Sequence, residues 1–164
     1  MNKSIRGLKE KDARRMFEGL NDKTNLKYLT LGYRDFSYDD CLSFINDDGS
    51  QNKHFAIVND NDEWCGTVSL KNIDCKNKKA EYAIVTSKDI QGTGLAKKAT
   101  LEVIEYAFNY LGLNKIFLNV VVENERAINF YLKCGFSYIG TSHNSVLLGE
   151  RFYDLKWFEI LKDE

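Results

Sequence analysis

The chain has 164 residues, 43% apolar and 29% charged, which fits one compact soluble domain (residues 1–164) with a core of its own. A net charge of −1 and a pI near 6.2 favour no bulk attraction to nucleic acid or to an anionic membrane. Four cysteines (Cys41, Cys65, Cys75, Cys134) without a C-x-x-C pair and two distant histidines argue against a metal site, and with no apolar run near the ~20 residues of a membrane span and no apolar signal core after Met1, a reducing cytoplasm is the expected home.

Ile5 to Leu8 reads as a first strand, and Ala13, Met16, Phe17 and Leu20 repeat at helical spacing. Ser37 with Asp40 three residues on resembles a helix start, with Cys41, Leu42, Phe44 and Ile45 as the buried side. His54 to Val58, Trp64 to Leu70 and Ala80 to Thr86 are three strands. They are joined by Asn59–Asp62 and Asn72–Lys78, an antiparallel meander built without any proline. The period then changes. Ala99, Val103, Ile104, Ala107, Phe108 and Leu111 form a helical stripe stopped by Gly112, and Ile116, Leu118, Val120 and Val122 alternate as a strand. Asn124 caps a short helix that ends at Gly135, and Phe136–Gly140 with Arg151–Leu161 form a last antiparallel pair. The expected fold is mixed α/β, with a central, mostly antiparallel sheet and about four helices.

Two segments carry chemistry. Gln91-Gly92-Thr93-Gly94-Leu95-Ala96 opens the long helix, where unpaired N–H groups and the positive end of the helix dipole suit a phosphate. Glycine lets the backbone approach an anion, and Lys97 and Lys98 add charge. Taken alone, the segment equally fits a plain turn before a core helix. It lacks the Gly-Lys-Ser/Thr of nucleotide hydrolases and the spacing of a dinucleotide fingerprint. The second segment is Asn124-Glu125-Arg126-Ala127, then Tyr131, then Gly135-Phe136. A lone helical tyrosine is more often a core residue than a catalyst.

Together the two segments resemble the GNAT superfamily of acetyl-CoA-dependent N-acetyltransferases. Gln91 to Ala96 looks like that family's Q/R-x-x-G-x-G/A pyrophosphate motif, and Asn124-x-x-Ala127-x-x-x-Tyr131-x-x-x-Gly135-Phe136 like its second signature. Leu113-Asn114-Lys115-Ile116 and Gly149 to Asp154 look like the ribosomal-protein N-terminal acetyltransferase-like branch, which includes spermidine and amino-sugar enzymes. The resemblance implies direct acetyl transfer from acetyl-CoA to an amine in a ternary complex. It implies that the strands at Ala80–Thr86 and Lys115–Val122 splay apart around the pantetheine arm. Ala83, Ile84 and Val85 would then hold pantetheine, with one N–H polarising the thioester. Gln91, Gly92, Thr93, Gly94, Leu95 and Ala96 would hold the diphosphate, and Asn124, Ala127 and Tyr131 would complete the cofactor site. Tyr131 matches the position of the general acid that protonates the thiolate. Glu81 is the first candidate base, with a salt bridge or strand-edge charge as its bland alternative, and His143 the second, with a solvated loop histidine as its own. The resemblance also allows no dedicated base. Cys134 reads as a buried filler.

Acceptor walls in this family come from the two N-terminal helices and the last hairpin. Tyr33, Phe36, Glu81 and His143 are therefore the candidate acceptor contacts. Asp35-Phe36-Ser37-Tyr38-Asp39-Asp40 looks like amino-sugar enzymes, although their Trp-Arg-Asn signature is absent. The expected acceptor is an amino sugar or another small primary amine, ahead of a protein N-terminus. A non-catalytic acyl-CoA-binding module is the rival of another class, and a homodimer is left open.

Overall fold

The computed structural model describes residues 3–22 and 36–163. Among them, seven strands form one sheet. The elements run β1 (Ile5–Gly7), α1 (Ala13–Leu20), α2 (Tyr38–Ile45), β2 (Lys53–Val58), β3 (Trp64–Asp74), β4 (Lys79–Thr86), α3 (Leu95–Glu105), β5 (Lys115–Val121), α4 (Glu125–Lys133), β6 (Ser137–Leu148) and β7 (Arg151–Leu161). The sheet order is β1-β2-β3-β4-β5-β7-β6, antiparallel throughout except for β4 against β5. This matches the element order read from hydrophobic period.

The parallel pair is short. Lys79, Ala80 and Glu81 face Lys115, Ile116 and Phe117, and no pairing follows. Yet β4 continues to Thr86 and β5 to Val121. The two strands therefore part in the middle of the sheet, leaving a V-shaped gap beyond Glu81.

Alternation on β4 sets the two faces. Ala80, Tyr82 and Ile84 pack with α3 and α4, where Ala99, Val103, Tyr131 and Phe136 join Ile116, Leu118 and Phe158 in the main core. On the other face, Met16 of α1 and Cys41 of α2 pack on Ala56, Val58 and Trp64. A third cluster, Val121, Leu148 and Leu155, closes the far end. β3 is buried from Trp64 to Leu70 because both layers cover it.

Three details differ from the sequence expectation, each for a local reason. β3 runs on to Asp74, through a bulge at which Asn72 takes a φ of 51°. β6 continues from Gly140 to Leu148, because register shifts at Tyr138/Gly140 and Ser142/Val146 absorb its irregular residues. The long helix closes in a π-helical turn at Tyr106–Tyr110, where the Leu111 N–H bonds Tyr106 O at 3.1 Å. Among the described residues no helix is long and apolar enough to cross a membrane.

Candidate active site

Two clefts open on either side of the β4 segment past the splay, and both are lined by Ile84 and Val85. The first, of about 400 Å³, lies between the start of α3 and α4. Gly92 and Gly94 line it with φ of 76° and 83°, left-handed backbone that favours glycine. A Cβ on either would enter open space, so the cleft reaches the bare main chain. Helix α3 begins at Gly94 without a side-chain cap, whereas Ser37 caps α2 and Asn124 caps α4. The helix end thus presents its first N–H groups to the cleft. Lys97, Arg126 and Lys133 also line it and make it a cationic pocket.

The loop is braced from below. Thr93 Oγ1 donates to Ile90 O at 2.6 Å and accepts from Leu95 N at 3.3 Å, and Leu95 packs against the main core. Of the loop residues expected at the cofactor, Gln91, Gly92, Gly94 and Ala96 line the cleft, while Thr93 and Leu95 stand behind them as supports.

On α4 the Asn124 side chain accepts from Ala127 N at 3.2 Å, which fixes the helix start at the cleft rim. One and a half turns on, Tyr131 reaches the cleft with only 8% of its surface exposed. Its ring stands edge-on to Tyr82, Phe130 and Phe136, with centroids 6.0, 5.6 and 6.1 Å away. Among the described residues its hydroxyl has no hydrogen-bond partner. Burial, then Cys134 nearby, pushes its ionisation well above the ordinary phenol value, so it stays a proton donor. Cys134 is itself buried, and burial raises its thiol too.

The second cleft, of about 460 Å³, opens between the sheet and α1–α2. Met16, Leu20, Phe36, Phe44 and Trp64 supply apolar wall. Asp40, Ser43, Thr67, Ser69 and Lys71 supply polar groups. Thr67, Ser69 and Lys71 stand opposite Val85, Ala83 and Glu81, so one face of β3 and β4 forms its floor. Ala83 lies here rather than in the first cleft.

Of the expected acceptor contacts, Phe36 lines this cleft and Tyr33 lies outside the described residues. Glu81 lines neither cleft. It sits at the paired end of the splay, 3.6 Å from Lys71 Nζ and 3.4 Å from Asn72 Nδ2. His143 is on β6, exposed and 3.0 Å from Asp154. The sequence reading missed Arg126 and Lys133, although they sit one residue from Ala127 and two from Tyr131 of the motif. It also missed Ser69 and Lys71, for which only the period of two along β3 gave a hint.

Residues 14–136 match the family model described as the acetyltransferase (GNAT) family. The chain belongs to the GNAT acetyltransferase family. The spermidine N(1)-acetyltransferase of Vibrio cholerae is similar to this GNAT protein, 28% identical over 163 residues, 98% of this chain and 94% of the relative. The putative ribosomal N-acetyltransferase YdaF of Bacillus subtilis is 29% identical over 170 residues, 98% and 92% of the two chains. A crystal structure of spermidine N-acetyltransferase from Vibrio cholerae in complex with CoA and spermine superposes with a TM-score of 0.86. It is 27% identical and covers 96% of this chain and 94% of that one.

The enzyme is an acyltransferase, and acetyl-CoA is its acetyl donor. The first cleft offers bare glycine main chain and three cations, chemistry that suits a diphosphate, beside two strands that part.

Proposed function

We propose that this acetyltransferase acts on the primary amine of a small molecule, an amino sugar or an amine of similar size, seated in the second cleft. One observation carries the reading. The cationic, glycine-walled cleft and the mixed apolar and polar cleft share Ile84 and Val85, so donor and acceptor would meet at one short stretch of β4. Placing the amine against the thioester supplies a large part of the rate in such a transfer. Gln91, Gly92, Gly94 and Ala96 would hold the diphosphate, Ile84 and Val85 the pantetheine, and Asn124 and Ala127 the α4 side. An N–H of β4 would polarise the thioester carbonyl. Tyr131 would give its proton to the departing sulfur.

The acceptor cleft combines aromatic wall (Phe36, Phe44, Trp64), hydroxyls and one charge of each sign, Asp40 and Lys71. That mixture suits a hydroxylated ring with a single amine. The spermidine relative favours a second reading, a polyamine, but the Lys71 ammonium in the cleft is a poor neighbour for a polycation.

The test is release of CoA thiol from acetyl-CoA across a panel of amino sugars, small monoamines, spermidine and peptides with free N-termini. The proposal expects the highest kcat/KM among amino sugars and small monoamines. Faster turnover of spermidine or of a peptide would overturn it.

A further inference from the structure

Acetylation of an amine at neutral pH requires its ammonium form to lose a proton before attack. We propose that this proton leaves through a relay of Ser69 and His54, with Asp47 holding the imidazole. The proposal rests on the reading that the second cleft takes the amine.

Two adjacent strands and the α2–β2 connection build the relay. Ser69 on β3 lies opposite Ala83 of β4 on one side and His54 of β2 on the other. Its side chain lines the acceptor cleft, and the residue is 5% exposed. Ser69 Oγ is 2.7 Å from His54 Nδ1, and His54 Nε2 is 3.5 Å from Asp47 Oδ2. Phe44 covers the imidazole, with ring centroids 4.0 Å apart, and the His54 side chain is only 8% exposed. The charged groups acting on the ring are Asp47, from the α2–β2 connection, and Lys71 of β3.

A carboxylate only accepts, so Asp47, 3.5 Å from Nε2, favours the tautomer that carries its hydrogen on Nε2. Nδ1 then holds a lone pair, and the Ser69 hydroxyl donates to it. Burial lowers the His54 ionisation below its ordinary value, Lys71 adds to this, and Asp47 opposes it. The ring is therefore neutral near pH 7 and able to take a proton. The chain runs from a hydroxyl on the cleft floor to a carboxylate at the solvent side. Glu81, by contrast, lines neither cleft and is held by Lys71.

The step balances as follows. An N–H bond of the ammonium breaks and its proton passes to Ser69 Oγ. The serine's own proton passes to His54 Nδ1, and the electron pair stays on the amine nitrogen. The imidazolium, paired with Asp47, then loses a proton to water. No bond forms between Ser69 and the acetyl group. After attack, Tyr131 gives its proton to the departing sulfur, and the second proton leaving the nitrogen passes through water to restore the Tyr131 phenol. The net products are the acetamide, CoA thiol and one proton.

The experiment compares His54→Gln, Ser69→Ala, Ser69→Thr and Glu81→Gln in CoA-thiol release over pH 6 to 10, with acetyl-CoA affinity measured by calorimetry on each. His54→Gln and Ser69→Ala are expected to lower kcat by about 10²-fold near neutral pH while acetyl-CoA binds as before. The loss should shrink as alkali supplies free amine, and Ser69→Thr, which keeps the hydroxyl, should recover most of the rate. The ring nitrogens give a second readout in the unmodified protein. His54 is one of two histidines, and its Nδ1 should resonate as a hydrogen-bonded lone pair that shifts in Ser69→Ala. A His54→Gln enzyme with unchanged kcat and pH profile overturns the relay. So does a loss confined to Glu81→Gln. If the best acceptor is a polyamine or peptide while the His54 and Ser69 losses persist, the amino-sugar reading fails and the relay stands.

Discussion

Tyr131 of α4 and Ser69 of β3 line the two clefts that flank Ile84 and Val85, and their surroundings differ. Tyr131 is ringed by aromatic edges and stays protonated because burial opposes a phenolate. Removing only its oxygen tests its role. Tyr131→Phe should lower kcat on the order of 10²-fold and leave acetyl-CoA affinity unchanged; a loss that appears as affinity instead would mean the ring merely packs. Because its ionisation is raised, the wild-type rate should show no Tyr131-dependent fall on the alkaline side below pH 10, which a pH–kcat profile checks. Tyr131 was legible in the sequence because its distances to Asn124 and Gly135 lie within one helix. His54 and Ser69 are fifteen residues apart, and only the register of β2 on β3 puts them side by side. A lone histidine at the start of a strand carries no trace of that partner.

At the scale of elements, what could be read was what repeats. The stripe of α3, the alternation of β5 and the cap of α4 all appear where period and capping chemistry put them. The π-helical turn breaks the 3.6-residue period only at its end, and the bulges of β3 and β6 break the period of two, so neither end was legible. The junction of β4 and α3 combines backbone and ligand demands at Gly94. Gly94→Ala forces an L side chain into φ 83° and sets a methyl where the cleft opens. The strain should cost about 1 kcal/mol of stability, seen in urea unfolding. KM for acetyl-CoA should rise about tenfold, and an unchanged KM would remove this loop from the donor site. Asn124→Ala removes the cap that bonds Ala127 N and should cost about 1 kcal/mol by the same unfolding measurement.

Over the whole molecule, one cluster of ion pairs ties β1, an edge of the sheet, to the start of α1 and to the β2–β3 turn. Arg6 donates to Asp12 at 2.8 and 2.9 Å and also bonds Asp62, while Asp12, 2% exposed, accepts from Lys9 N at 2.8 Å. Burial alone would raise the Asp12 carboxyl, but the Arg6 and Lys9 hydrogen bonds hold it below its ordinary value. Arg6→Ala leaves that carboxylate buried without its main partner and should cost about 3 kcal/mol. A depressed carboxyl stabilises the fold above its unfolded value, and that contribution is lost as pH falls through the folded one. The gap between wild type and Arg6→Ala in urea midpoint should thus be full at pH 6 and shrink below pH 4. A gap that persists unchanged at low pH would contradict the assignment.

The three-residue contact between β4 and β5 has a consequence for exchange with solvent water. Sheets are ordinarily slowest to exchange at their centre and fastest at their rims. Here the backbone of β4 around Ile84, and of β5 beyond Phe117, borders an opening on one side instead of a neighbouring strand. In deuterated water these central positions should lose their protons as fast as a rim does, while β3 alongside stays protected. Acetyl-CoA, lying in the opening, should slow those amides selectively. The middle of the sheet would then act as an internal reporter of occupancy, readable residue by residue without any turnover.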